Sequence, residues 1–254
     1  MRSVGPFLAI AQRDVQKLLY DRARLLTAFI LPFLVVVLLG NSFSKFGDDL
    51  GFDYLKFVYA GILAQSVFQS AGLGIVSLID DRASDFTQEL FVAPVGRFVI
   101  VLGKIVGESI AALVQAVGIL ALGPLIGVTY SLSLLPELAL ALPAVCLLGG
   151  AFGLLMVSLA PSRRVADQLF PFVFFPQLFL GGVFNPVTGF PTWLDVVSHL
   201  APLRYAADLL HDVFFPPGPA VADGGTFDLV MMAALGVPFF LVGTWLFVRQ
   251  ERNR

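Results

Sequence analysis

The sequence predicts an all-α integral membrane protein with six transmembrane helices. Three observations predict it. Six long apolar stretches run through the 254 residues: Leu25–Phe43, Phe57–Ile79, Phe98–Ile126, Leu138–Ala160, Leu169–Phe184 and Leu229–Val248. The composition, 57% hydrophobic and 13% charged, lies far from that of soluble domains. The basic residues fall almost entirely in alternate gaps between the stretches. If the side holding both chain ends is inside, it carries Arg2, Arg13, Lys17, Arg22, Arg24, Arg82, Arg97, Lys104, Arg163, Arg164, Arg249, Arg252 and Arg254. Outside carries only Lys45, Lys56 and Arg204, a split of 13 to 3 among the 16 lysines and arginines. Orientation follows Lys and Arg rather than net charge, so both termini are expected in the cytoplasm.

A helix rises about 1.5 Å per residue, so about 20 residues cross a hydrocarbon core of about 30 Å. Five of the six stretches are long enough. A β-barrel is excluded, because it would show short segments of alternating polarity. The first stretch follows 24 residues and is too long for a signal-peptide core. Cys146, the single cysteine, lies within the fourth stretch and can form no internal disulfide. No polar segment is long enough for a soluble domain, so residues 1–254 are expected to form one membrane domain.

Residues 1–24 read as an interfacial helix. Val4, Phe7, Leu8, Ile10, Ala11, Val15, Leu18 and Leu19 recur at helical spacing, with Arg13, Asp14 and Lys17 between them. The alternative is an ordinary basic flank of the first span. Residues 25–184 carry spans one to five. Loop 44–56 is short and external. The inside loop 80–97, DDRASDFTQELFVAPVGR, is the most structured polar segment. Asp85 followed by Gln88 reads as a capping box and Pro94 as a stop, so a short helix is expected over 85–93. Phe86, Leu90 and Ala93 fall on one of its faces. Outer turn 127–136 and inner loop PSRRVADQ are brief.

Span five, Leu169–Phe184, is short, contains Pro171 and Pro176, and is expected to end before the outer surface. Residues 185–226 follow as a long external segment. Two short helices are expected there, Thr192–Leu200 and Leu203–Phe215, separated by Pro202 and closed by Pro216 and Pro217. They are too apolar for a freely solvated loop. Irregular backbone at membrane depth is tolerated only when buried in protein or lining a cavity, so a re-entrant cap in the outer leaflet is expected. The alternative is a surface domain resting on the headgroups. Residues 227–254 hold span six and a cytoplasmic tail.

Two stretches resemble the permease subunits of type-2 ATP-binding-cassette exporters. The first, residues 81–104, matches an acidic-arginine start (Asp81, Arg82), a short helix, an apolar end with proline (Glu89, Leu90, Phe91, Val92, Ala93, Pro94), a basic residue (Arg97), and Gly103-Lys104 in span three. The second, residues 174–214, matches a small-residue turn, then Phe190-Pro191-Thr192-Trp193-Leu194, then Ala201-Pro202-Leu203-Arg204-Tyr205-Ala206-Ala207-Asp208. The six-span layout and basic amphipathic start match as well, so the resemblance covers nearly the whole chain. Asp85 stands where the family often has glycine, Ala201 where it often has asparagine, and His211 where arginine is frequent.

The resemblance implies an export permease in a bacterial cytoplasmic membrane, of a family whose members move drugs, lipids or polysaccharides; the Phe-rich, Trp-poor composition, 25 Phe against 2 Trp, leans to a hydrophobic or amphipathic substrate. The resemblance also implies a second permease copy or paralogue, and a separate ATP-hydrolysing subunit that would hold ATP and Mg. This chain would bind no cofactor and no nucleic acid. The helix around Asp81, Arg82, Asp85, Glu89, Leu90, Phe91, Pro94 and Arg97 would seat on the ATPase and couple its closure to the spans. Phe184, Asn185, Pro186, Trp193, Pro202 and Tyr205 would form the outer gate. The sequence agrees on one negative point: it contains no G-x-x-x-x-G-K-[ST] phosphate loop.

Other constellations carry two readings each. Gln65, Ser66, Gln69, Ser70 and Ser77 form a polar stripe on span two, which either bonds neighbouring helices or lines an export path. Phe170, Phe172, Phe174, Phe175, Phe179 and Phe184 crowd span five, as core and lipid contact or as an apolar wall for substrate. Gln65, Gln69, Ser70, Phe172, Phe175 and Phe179 are the pathway candidates. Lys104 and Glu108 form an i,i+4 pair in span three, either structural or part of coupling. Gly103/Gly107 and Gly149/Gly153 read as close helix packing. His199 and His211 have no partner at metal-ligand spacing, and no catalytic arrangement is read. Competing functions are an ion-gradient-driven secondary transporter, which would show internal repeats, and a lipid-modifying enzyme, which would show clustered His, Asp or Glu near one interface.

Overall fold

A computed structural model describes residues 22–42, 51–79, 97–160, 162–188, 190–215 and 224–252. Among the described residues there are eight α-helices and no strand: α1 Arg22–Ser42, α2 Tyr54–Gly74, α3 Arg97–Leu122, α4 Leu135–Leu159, α5 Arg163–Leu180, α6 Thr192–Ser198, α7 Pro202–Phe214 and α8 Gly225–Arg252. Two short 3-10 turns, Gly123–Ile126 and Leu132–Leu134, link α3 to α4. Four helical stretches are long and apolar enough to cross a membrane: Tyr54–Ile79, Ile100–Ile126, Leu132–Leu159 and Gly225–Gln250. The chain is a multi-pass membrane protein. α1 adds a shorter apolar helix, Phe29–Gly40.

α2 is the central post. It packs against α1, α3, α4, α5 and α7. Phe57, Val58, Ala60, Leu63, Ala64, Val67, Phe68 and Ala71 are all fully buried, so the helix is apolar and covered on nearly every face. Its start is fixed by Asp53, whose Oδ1 accepts from Lys56 N at 3.1 Å. Its far end tightens at Gly74: Ile75 N donates to Gly72 O at 3.2 Å and Val76 N to Leu73 O at 3.0 Å. Ser77 Oγ donates to Gly74 O at 2.6 Å across the same break.

α4 presses against α2 through Gly149 and Gly153, as the sequence spacing predicts. A Cβ on Gly153 would fall 2.6 Å from Gly72 Cα, and one on Gly149 would fall 2.9 Å from Phe68 Cα. Lipid tails are as apolar as leucine, so association in a membrane relies on such close packing. Gly103 and Gly107 on α3 are likewise buried.

Cross-links fix which helix ends lie together. Tyr59 Oη, near the start of α2, donates to Ile119 O near the end of α3 at 3.0 Å. Gln250 Nε2 donates to Ser158 O at 2.6 Å, placing the ends of α8 and α4 side by side. Asp212 Oδ2, late in α7, accepts from Gly225 N at 2.9 Å at the start of α8. α2, α4 and α8 therefore run in one direction and α3 in the other.

Helix boundaries differ from the sequence reading in span five and in the pair after it. α5 begins at Arg163, where Ser162 Oγ accepts from Val165 N at 3.4 Å, and ends at Leu180. Hydropathy misses the polar first turns, and Gly182, at φ 72, turns the chain before the apolar run ends. The two short helices end at Ser198 and Phe214. The second starts at Pro202, because a missing N–H costs nothing at a first helical position. α7 is buried along nearly its whole length, against α2, α4 and α8. His211 Nε2 donates to Phe57 O at 3.2 Å, and its ring stacks on Phe57 at 3.9 Å.

Candidate functional site

A cavity of about 370 Å³ opens between α1, α2, α3 and α5. Its polar wall is one face of α2, Gln65, Ser66, Gln69 and Ser70, joined by Gln115 from α3. Leu31, Pro32 and Val35 of α1, Ile62 and Leu73 of α2, Leu178 of α5 and Phe184 supply the apolar wall. Helical spacing puts the four α2 residues on one stripe. Gln65 Nε2 donates to Gln69 Oε1, one turn along. Ser66 is 5% exposed, and among the described residues its Oγ has no hydrogen-bond partner. A buried hydroxyl normally finds one, in a helix often the carbonyl one turn back.

Span five's phenylalanines divide. Phe170 and Phe174 are buried, with rings 5.6 Å apart, and Phe174 packs on Phe68 and Phe152. Phe172, Phe175 and Phe179 are exposed on the outside of α5 and do not line the cavity. They connect to it indirectly: Phe175 meets Phe179 at 5.6 Å, and Phe179 meets Phe184 at 5.9 Å. Phe184, read from the sequence as part of an outer gate, therefore stands at the cavity as well. Tyr54 Oη donates to Phe184 O at 2.9 Å, which ties this turn to the start of α2. Asn185 is exposed and Pro186 half-buried in the same turn.

The pair α6 and α7 is clamped by Arg204. This buried guanidinium donates to Asp195 Oδ1 at 2.9 Å and to Ser198 Oγ, and lies 3.1 Å from His199 Nδ1. Hydrogen bonding from Arg204 holds the Asp195 carboxyl below the usual carboxylate range, with the Arg204 and His199 charges acting in the same sense. Tyr205 Oη donates to His199 O at 2.9 Å. Pro202 is buried at the start of α7. Trp193, by contrast, is 68% exposed, and with Val196, Val197 and Leu200 gives α6 an apolar outer stripe.

At the other end of the bundle, Lys104 Nζ and Glu108 Oε1 pair at 3.1 Å with exposures of 1% and 4%. The expected coupling residues Asp81, Arg82, Asp85, Glu89, Leu90, Phe91 and Pro94 lie outside the described residues, and Arg97 begins α3.

Residues 6–215 match the pattern of the ABC-2 type transporter family. The chain belongs to that family. The inner membrane transport permease YadH of Escherichia coli K12 is 30% identical to it over 174 residues, 68% of each chain. The probable multidrug ABC transporter permease YbhR of the same organism is 30% identical over 169 residues, 64% of this chain and 44% of its own length. Nodulation protein J of Rhizobium leguminosarum bv. trifolii is 29% identical over 196 residues, 75% of this chain and 72% of its own length. As an ABC-2 permease the chain is the transmembrane part of its system, and ATP hydrolysis is carried by a separate ATP-binding subunit.

Two residues of this ABC-2 permease were not singled out from the sequence. Gln115 completes the cavity from α3. Gln177 is buried in α5, where its Oε1 accepts from Leu203 N at 3.4 Å and its Nε2 donates to Val173 O at 3.2 Å. Both are lone glutamines within apolar runs, a signal that a search for intramembrane polar groups would have found.

Proposed function

We propose that this ABC-2 permease is the membrane subunit of an ATP-driven exporter that moves a hydrophobic or amphipathic substrate out of the cytoplasm. The observation that carries this is the mixed cavity between α1, α2, α3 and α5. It places amide and hydroxyl groups beside apolar side chains in an open space within a membrane bundle, the mixed lining that an amphipathic ligand would need. Its volume also falls within the roughly 300–1,000 Å³ of ordinary ligand sites.

The finer reading adds six spans, with α1 and α5 joining the four long helical stretches. Both termini lie in the cytoplasm of a bacterial inner membrane, and residues 1–24 lie along its inner surface. α6 and α7 form a re-entrant outer cap whose gate residues are Phe184, Asn185, Pro186, Trp193, Pro202 and Tyr205. A second permease copy or paralogue completes the path, with Phe172, Phe175 and Phe179 on the face available to it or to lipid. ATP and Mg sit on the partner subunit, which docks on loop 80–97.

The test is reconstitution. The permease is co-expressed with a candidate ATP-binding subunit and placed in vesicles. Uptake of an amphipathic dye into inside-out vesicles should require ATP and persist when ion gradients are collapsed. Uptake that follows the proton gradient and ignores ATP would replace this reading with a secondary transporter.

A further inference from the structure

We infer that the cavity recognises an uncharged amphiphile, through a cluster of hydroxyl or amide groups laid along the α2 stripe and an apolar body laid toward α1 and Phe184. This rests on the cavity being the transport site proposed above and names the chemistry it accepts. Among the described residues the lining groups able to hydrogen-bond are Gln65, Ser66, Gln69, Ser70 and Gln115, none of them ionisable. Amides and hydroxyls each both donate and accept. Such a wall can complement hydroxyls and amides in either sense, but it offers no counter-charge to a carboxylate, phosphate or ammonium. An ion moved there would lose its hydration with no opposite charge to replace it. Gln65, Gln69 and Ser70 are the half-buried members of the stripe, and Ser66 lies between them with its Oγ buried.

The stripe has direction. Gln65 to Ser70 spans about 7.5 Å at the helical rise of about 1.5 Å per residue, enough to meet two or three ligand groups in sequence rather than one. The row Phe184, Phe179 and Phe175, with ring spacings of 5.9 and 5.6 Å, continues the apolar wall to the exposed face of α5. An amphiphile's tail can lie along that row while its head stays on α2.

The experiment uses the full chain in lipid nanodiscs. Cys146→Ala removes the native thiol, and Ser70→Cys places a reporter at the half-buried end of the stripe. The rate of maleimide labelling is measured with four probes of matched ten-carbon tail: decyl glucoside, N-methyldecanamide, decyltrimethylammonium and decyl sulfate. Decyl glucoside or N-methyldecanamide should slow labelling, and the difference between those two separates a hydroxyl-bearing from an amide-bearing substrate. The charged probes should have little effect. In the same background, Gln65→Leu and Gln69→Leu should each weaken protection by the uncharged probe about threefold to tenfold, the worth of one hydrogen bond. Thermal unfolding of each variant confirms that it is folded. Equal protection by all four probes would mean nonspecific lipid-like filling and would overturn the inference, as would stronger protection by either ion or protection by none. Co-purification with the ATP-binding subunit, measured on the same preparation, is independent of these rates. Failure of the transporter reading is thereby distinguished from failure of the ligand chemistry.

Discussion

Glu108 of α3 occupies the space that a side chain on Gly74 of α2 would fill. An added Cβ would collide with the Glu108 carboxylate and lie 2.7 Å from its Cγ. Lys104 holds that carboxylate from one turn away at 3.1 Å. The break in α2 and the buried ion pair of α3 are thus one contact. Gly74→Ala should destabilise the protein by about 1–3 kcal/mol, the usual cost of overpacking. The measurement is the thermal midpoint in detergent, for Gly74→Ala, Glu108→Ala and the double variant. The double should lose less than the sum of the singles, because the two residues touch. Strict additivity would show that the seat is not shared.

The ion pair itself makes an asymmetric prediction. Lys104→Met leaves Glu108 buried beside no lysine, and breaking a buried pair costs about 3–5 kcal/mol. Lys104→Met with Glu108→Leu replaces both charges by apolar groups of similar size and should recover most of the loss. Thermal midpoints again decide. If the double variant is no more stable than Lys104→Met, the pair is held in place by function or by other partners rather than by mutual compensation.

The Arg204 clamp between α6 and α7 is readable through Trp193. With Trp245→Phe, Trp193 is the single tryptophan, and its quenching by aqueous iodide reports the mobility of α6. Arg204→Gln should raise quenching, since it removes the charged bonds to Asp195. The pH dependence follows from the sign of the Asp195 shift. Its carboxyl is depressed by the Arg204 bond, so the clamp is fully present above the ordinary carboxylate range and is lost as pH falls below it. Quenching should therefore be flat between pH 6 and 8 and rise only in acid, below the ordinary carboxylate range. Asp195→Asn should abolish the acid rise. A rise centred near neutrality would show that the Asp195 carboxylate is not what holds the clamp.

Much of this architecture was legible in the sequence because membranes impose simple rules. Apolar length marked α2, α3, α4 and α8. Small residues four apart predicted the contact of Gly149 and Gly153 with α2. The stripe of Gln65, Gln69 and Ser70 was visible as polarity inside an apolar run, and it lines the cavity. Facing was not legible: hydropathy cannot say which phenylalanines of α5 turn inward, and Phe170 and Phe174 are buried while Phe172, Phe175 and Phe179 are exposed. Gln115 and Gln177 escaped because each stands alone, and only packing brings Gln115 to Gln65 or Gln177 to the start of α7. The start of α5 was missed because a helix can begin in water with Arg163 and Asp167, which pair at 3.6 Å, before its apolar part begins.

Topology follows from the basic partition and the helix directions together. Glu137 opens α4 and Arg164 sits in the first turn of α5, so the two lie at opposite ends of one helical span. In a Cys146→Ala background, single cysteines at these positions should label differently with an impermeant thiol reagent on intact cells. Glu137→Cys should react from outside, and Arg164→Cys only after permeabilisation. Reversed labelling would invert the proposed orientation.

The most consequential prediction concerns the loop between the two elements that meet at Gly74 and Glu108. Described structure stops at Ile79 after the break in α2 and resumes at Arg97, the start of α3. A load on residues 80–96 would therefore enter both helices that share this contact. Its sequence suits a docked element, with Leu90 and Phe91 apolar and Asp85 and Glu89 acidic. An exposed rim charge is worth only about 0–1 kcal/mol, but a desolvated interfacial charge left unpaired costs several. Glu89→Arg and, separately, Leu90→Asp should leave insertion and accumulation of the permease unchanged. Each should release the ATP-binding subunit or remove its substrate-stimulated hydrolysis, and export should stop. Gly74→Ala acts at the other side of the same joint. It should keep the ATPase bound while lowering transport per ATP hydrolysed. Full co-purification and full export by both loop variants would show that force enters the bundle elsewhere.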